Sequence, residues 1–276
     1  MYRQEASATL PQVHPRAPIL DVKGVSLRFG GVRALSDVLL HVDQDELVAV
    51  IGPNGAGKTS LLNSLAGFYH PQDGDITLFG NSILGMAPHR IAKAGMARTF
   101  QGIHVLSTLS VIENIMLGCG FNARGTLAKS FLYHLFGSRE EVALRAKAEE
   151  IADFLDLGLV RHQPVETLGY GLRKRVDLGR ALALEPKILL VDEPMAGMNG
   201  EEKEDLARFL VDIRELWKIP IVMVEHDMSV VMDLADRIYV LNFGQVLASG
   251  TPAEIQTNQD VINAYLGGSY TAGGAA

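Results

Sequence analysis

The chain has 276 residues, 47% hydrophobic and 21% charged, with a net charge of −7. That length can bury a full core, and such a composition excludes wholesale disorder. An acidic balance argues against a nucleic-acid partner, which favours a basic face, and no stretch approaches the roughly 18 apolar residues needed to cross a bilayer. Met1–Pro18 is polar, carries three prolines and lacks the apolar core of a secretory signal, so residues 1–17 read as a flexible tail. Ile19–Phe29 and Val38–Val42 read as strands, followed by the apolar strand Leu47–Ile51. Asp73-Gly74 introduces a short strand, Ile76–Phe79, that stops at Gly80-Asn81. Residues 88–95 read as a short helix opened by Pro88. From Val111 to about Leu159 the pattern is helical, and within it Val142, Ala146, Ile151, Phe154 and Leu155 fall near one face. The single Cys119 cannot form an intrachain disulfide, which suits a reducing cytoplasm, and it is expected to be a buried, neutral thiol. A second helix runs from Gly171 to about Leu184, and Pro186 ends it. Then come a strand at Lys187–Val191, a helix at 200–217, a strand at Ile221–Val224, a helix at 228–236 and a strand at Ile238–Leu241. This alternation implies parallel strands between layers of helices. Phe243-Gly244 turns into a last strand, Gln245–Ala248, and residues 268–276 read as a second flexible tail.

The most informative stretch is GPNGAGKTS. Its residues Gly52, Pro53, Asn54, Gly55, Ala56, Gly57, Lys58, Thr59 and Ser60 fit G-x-x-x-x-G-K-[ST] at every fixed position. The pattern follows an apolar strand and precedes a helix-like run, Ser60–Ala66, the context in which it means phosphate binding. Glycines let the loop curl so that backbone N–H groups converge on phosphate oxygens at the positive end of the following helix. Lys58 would reach the β- and γ-phosphates, and the Thr59 hydroxyl would ligate Mg2+. An ordinary glycine-rich turn is the competing reading, and the flanking strand and helix decide against it. A nucleoside triphosphate is the expected ligand.

Two further strand ends carry chemistry. Ile188–Val191 runs into Asp192 and Glu193, and a buried strand holds such side chains at the carboxyl edge of the sheet, where ligands bind in open α/β folds. Asp192 suits Mg2+ through water, and Glu193 suits polarising the attacking water. A merely solvated strand end is the alternative. His226 follows the strand IVMVE, where an imidazole would donate to a γ-phosphate; a structural histidine is the competing reading.

With these residues in hand, the chain resembles the ATP-binding subunit of an ABC transporter over about residues 18–267. The resemblance implies an α/β P-loop NTPase of the ABC ATPase type. Its mixed sheet would be flanked by helices, with an inserted α-helical subdomain at about 103–184 and an N-terminal antiparallel β region. Arg98-Thr99-Phe100-Gln101 resembles the family's Q-loop, which makes Gln101 a contact for Mg2+ and the γ-phosphate. Phe29 sits where the family places an aromatic that stacks on adenine, with a core strand residue as the alternative. Leu168-Gly169-Tyr170-Gly171-Leu172 occupies the place of the signature LSGGQ, and three of its five positions differ. Gly169 lacks the serine hydroxyl, so Gly169 and Gly171 would offer only backbone N–H groups and the helix dipole to a γ-phosphate. A helix start that serves packing alone is the other reading. Asn199 stands where the family has an aspartate. RTFQ, LGYG, EPMAGMN, VEHDM and the ending with Ser249-Gly250-Thr251-Pro252 and Ala264–Gly268 look like the branched-chain amino-acid importer branch, the LivG type.

The resemblance implies an ATPase using ATP and Mg2+, peripheral on the cytoplasmic face of the cell membrane. A second ABC ATPase subunit would clamp two ATP molecules with it. Permease subunits would be driven through the cleft beside the Q-loop, with a substrate-binding protein acting indirectly. A cassette serving urea, amides or a lipid, and a non-transport ABC ATPase, are the alternatives. One phosphate loop and no sustained heptads weigh against the last.

Overall fold

The computed structural model describes residues 17–99, 105–121 and 127–267, with side chains left aside at 120–140 and 266–267. The chain opens with β1 (Leu20–Phe29), β2 (Val32–Val42), β3 (Leu47–Ile51), α1 (Lys58–Leu65), β4 (Asp73–Leu78) and β5 (Asn81–Ser82). It continues through α2 (Pro88–Ala94), β6 (Met96–Arg98), α3 (Val111–Phe121), α4 (Leu127–Phe154) and α5 (Tyr170–Leu182). Then follow β7 (Ile188–Asp192), α6 (Gly200–Glu215), β8 (Ile221–Val224), α7 (Met228–Leu234), β9 (Arg237–Asn242), β10 (Gln245–Gly250), α8 (Pro252–Thr257) and α9 (Gln259–Gly267).

Two sheets form. One is antiparallel, in the order β2-β1-β4-β5; the other has the order β10-β9-β3-β8-β7-β6, parallel except for its β10–β9 edge pair. The expected mixed sheet, flanking helices and N-terminal antiparallel region are therefore all present. Side chains alternate across each central strand. Leu47, Ala49, Ile51, Leu189, Val191, Ile221 and Met223 enter one core with Val176 of α5 and Phe209 of α6. Val48, Val50, Ile188, Leu190, Val222 and Val224 enter a second core with α1 and the antiparallel sheet. Each strand is buried on both faces, which is why its sequence reads as an unbroken apolar run.

The structure corrects several expectations. Val142 and Ala146 are exposed, and the buried stripe of α4 is Ala148, Ile151 and Ala152, with Leu155 buried just past the helix end. Ala146 lies about 200° round the helix from Ala148, so the predicted face was misphased at its N-terminal end. Phe154 packs near Trp217 with ring centroids 4.7 Å apart. Phe79 is not the end of a strand but a turn residue with φ 49°. β6 was missed, being three residues long and too short for periodicity to register. β2 begins at Val32 rather than Val38, and α8 and α9 were not foreseen. Cys119 is buried as expected, and burial pushes its thiol up, opposed by Lys147. Among the described residues no helix is long and apolar enough to cross a membrane. The two predicted tails fall outside the described residues, apart from Ala17.

Candidate functional site

Strands β3, β7 and β8 are neighbours in one parallel array, so their carboxyl ends open onto the same crevice. From β3 the chain enters the glycine loop. Gly52 takes φ 149°, and a Cβ there would lie 2.1 Å from the Leu241 carbonyl oxygen. Gly57 takes φ 105°, and a Cβ would lie 2.7 Å from the Ala34 carbonyl oxygen. Neither position admits a side chain, which is what the motif's first and last glycines predict. Gly57 precedes α1 without a side-chain cap, leaving first-turn N–H groups to point into the crevice. Gly244 braces the loop by donating to the Ala56 carbonyl at 2.9 Å and accepting from the Ser36 N–H at 2.8 Å.

Lys58 is buried, and its ammonium donates to the carbonyls of Gly52 at 2.7 Å and Pro53 at 3.1 Å. Burial lowers its pKa, and the carboxylates of Glu193 and Asp192 oppose that. Asp192 ends β7 at 1% exposure. Its Oδ2 accepts from Arg98 at 2.8 Å, and Arg98 also donates to Asn63 of α1 at 2.6 Å. Asp192 Oδ1 is buried without a hydrogen-bond partner among the described residues. A neutralised carboxylate with one idle oxygen, near an exposed Thr59 at the start of α1, suits a hard cation that keeps its waters. These residues fit Mg2+. Gln101, the third predicted ligand, and Phe100 lie outside the described residues; Arg98 and Thr99 before them are buried beside β7, with the Thr99 N–H on the Leu190 carbonyl at 2.9 Å.

Glu193, one residue beyond β7, adopts φ 44° and anchors its N–H on the Val224 carbonyl at 2.9 Å. A left-handed non-glycine at a strand tip is a costly conformation that clusters at working sites. His226 stands one strand over, largely exposed, with Nδ1 3.7 Å from Glu225. Thus the loop, the two acids and His226 share one crevice rim.

The signature segment opens α5. Gly169 is its N-cap, again without a side-chain cap, and nothing stands within 4 Å of where its Cβ would be. At Gly171 a Cβ would lie 2.5 Å from the Glu202 carboxylate, so a larger residue there would displace the side chain that closes the cap of α6. Arg173 fastens the turn by donating to the carbonyls of Leu168 at 2.8 Å and Glu166 at 2.5 Å. Lys174 reaches the Glu193 carbonyl at 3.4 Å. Burial lowers its pKa, while Asp177, Asp192, Glu225 and Glu193 counter that. Asn199 caps α6 in a reciprocal box with Glu202. Phe29 is about half exposed, which overturns the core alternative, and it meets Tyr69 edge to face at 5.0 Å.

Arg98, Lys174 and Glu225 were not singled out in the sequence. Glu225 had a signal, an acid directly after an apolar strand, the same signal that marked Asp192. Between α1, α2, α3 and α5 runs an apolar groove of about 400 Å³, lined by Phe68, Ile91, Met96, Leu117, Ala181 and Leu184.

The ABC transporter family model matches residues 35–196, and the branched-chain amino acid ATP-binding cassette transporter model matches 245–271. The chain is 39% identical to the high-affinity branched-chain amino acid transport ATP-binding protein BraF of Pseudomonas aeruginosa, over 91% of this chain and 98% of that one. It is 38% identical to LivG of Escherichia coli, with the same coverage. Among solved structures, a nucleotide-free ATP-binding cassette from an ABC transporter superposes with a TM-score of 0.79 at 28% identity, covering 90% of this chain and 99% of that one. A cassette in its ADP conformation gives the same TM-score and identity, covering 91% and 99%.

Proposed function

The chain belongs to the ABC transporter family as an ATP-binding cassette of the branched-chain amino-acid type, and from that premise we infer that it hydrolyses ATP to energise uptake of branched-chain amino acids. The observation that carries the reading is the meeting of the amide-lined loop, Asp192, Glu193 and His226 along the carboxyl ends of three adjacent strands. An ammonium has three donors; with two of those of Lys58 on carbonyls, the third serves the β- and γ-phosphate oxygens. First-turn amides of α1 hold the phosphate tail, and Phe29 presents a flat face to adenine. Thr59 and Asp192, with Gln101, would hold Mg2+, which when bound would supply positive charge to offset that of the triphosphate. Glu193 takes a proton from the attacking water as its oxygen bonds to the γ-phosphorus and the bond to ADP breaks. His226 donates to the γ-phosphate oxygens.

A second ABC ATPase subunit completes each site by bringing Gly169, Gly171 and the bare start of α5 onto the γ-phosphate of its neighbour. ATP favours this closed dimer, and hydrolysis reopens it, so the motion is a shift between two states. Permease subunits receive it at the apolar groove beside Met96 and Arg98, and the cassette sits at the cytoplasmic face of the membrane. Residues 103–184 act as the inserted helical subdomain that carries α5.

Glu193→Gln is the direct test. ATP binding is expected to persist while steady-state turnover falls by about 100-fold or more, with the closed dimer accumulating in sedimentation. Parental turnover in that variant would remove Glu193 as the base. Cargo is tested in the reconstituted complex, where leucine, isoleucine or valine should stimulate ATPase activity and urea should not.

A further inference from the structure

Glu225 is the first residue past β8 and is fully buried, at 0% exposure. A buried carboxylate is costly unless its lone pairs are met. Here they are met by backbone amides from two separate loops. Oε1 accepts from the Met195 N–H at 2.9 Å. Oε2 accepts from the His226 N–H at 2.9 Å and, more weakly, from the Asp227 N–H at 3.4 Å. Met195 lies two residues beyond Glu193, whereas His226 and Asp227 lead into α7. Neither loop can shift alone without stranding one oxygen of a buried ion.

We propose that Glu225 is a positioning residue for hydrolysis, a two-armed clamp that fixes the loop of Glu193 against the loop of His226. The clamp sets the spacing between the carboxylate that polarises water and the imidazole that faces the γ-phosphate. The inference rests on the roles given above to those two residues.

The test uses the full-length chain with Glu225→Gln, Glu225→Asp and His226→Ala. A glutamine offers one acceptor oxygen and turns an N–H group toward the other loop; an aspartate keeps the charge but is a methylene too short to serve both. In both Glu225 variants kcat is expected to fall about tenfold or more, with ATP affinity held within about twofold. Amide exchange should quicken at Met195, His226 and Asp227 and stay unchanged in the phosphate loop. Combined with His226→Ala, Glu225→Gln should lower kcat by less than about a further threefold, since residues acting as a unit are not additive.

Parental kcat in Glu225→Gln, affinity lost in step with kcat, or losses that multiply in the double variant would each overturn the clamp. If His226→Ala alone turns over at the parental rate, the role of His226 falls, and the clamp is then judged on the kcat and exchange of the Glu225 variants. Should neither Glu225 variant fold, exchange in the unaltered chain decides. Met195 and His226 opening as one unit supports the clamp, and independent opening defeats it.

Discussion

Asp192 needs to be charged to serve a cation and buried to be held still, and Arg98 reconciles the two. The pair is almost fully buried, at 8% and 1% side-chain exposure. Removing one partner of such a pair strands the other's charge. Arg98→Met is therefore expected to cost about 3–5 kcal/mol of stability, read from urea unfolding; a loss under about 1 kcal/mol would mean that solvent or another cation replaces it. The placement of Lys58, Asp192, Glu193 and His226 beside one another at strand ends was legible because it is written locally, as fixed spacing or as a polar residue closing an apolar run. Arg98 was not, because its partner lies 94 residues away and no pattern in the chain joins them. Lys174 lies between Arg173 and Arg175, with no motif of its own to mark it, although helical spacing puts it beside Leu178 and Ala181 on the buried side of α5.

Among the elements, α6 shows how a departure from the family pattern acquires a local purpose. Asn199 accepts from the Glu202 N–H at 2.9 Å, and Glu202 accepts from the Asn199 N–H at 3.0 Å. An aspartate would cap equally well. Asn199→Ala should thus cost about 0.5–2 kcal/mol in thermal or urea unfolding, and Asn199→Asp close to nothing; equal losses would refute the cap as the source. Helix α7 starts differently, with Asp227 bonded to Lys203 at 2.6 Å and to Ser229. The Lys203 bond first, and Ser229 next, hold the Asp227 carboxyl down to about 2 from the ordinary 3.8. A carboxyl depressed in the folded state contributes fully above its ordinary value and loses that contribution as pH falls through the folded value. The stability gap between the parent chain and Asp227→Asn should accordingly be flat above about pH 5 and close between about pH 4 and 2. A gap constant down to pH 2 would place the effect elsewhere. Element boundaries were legible where caps or apolar runs mark them. The phase of α4 was not, because its exposed Val142 and Ala146 are as apolar as its buried residues.

At the scale of the whole molecule, the apolar groove between α1, α2, α3 and α5 is the surface proposed to receive the permease. Leu117 and Phe68 stand about half exposed in it. Leu117→Glu should leave ATP affinity of the isolated chain unchanged yet weaken co-purification with permease subunits about tenfold or more, as expected for a central apolar contact; undiminished co-purification would put the docking face elsewhere. The fold class was legible from alternation and the phosphate loop together, whereas the groove arises only when helices distant in sequence are brought side by side. One feature of the architecture also constrains how such a machine can move. Strands β3, β7 and β8 are gripped by side chains above and below, so the bench on which the chemistry is done behaves as a stiff slab. Any stroke that reaches a transport pathway must then be made by parts bolted to the slab's rim, swinging as levers while the reacting groups stay put.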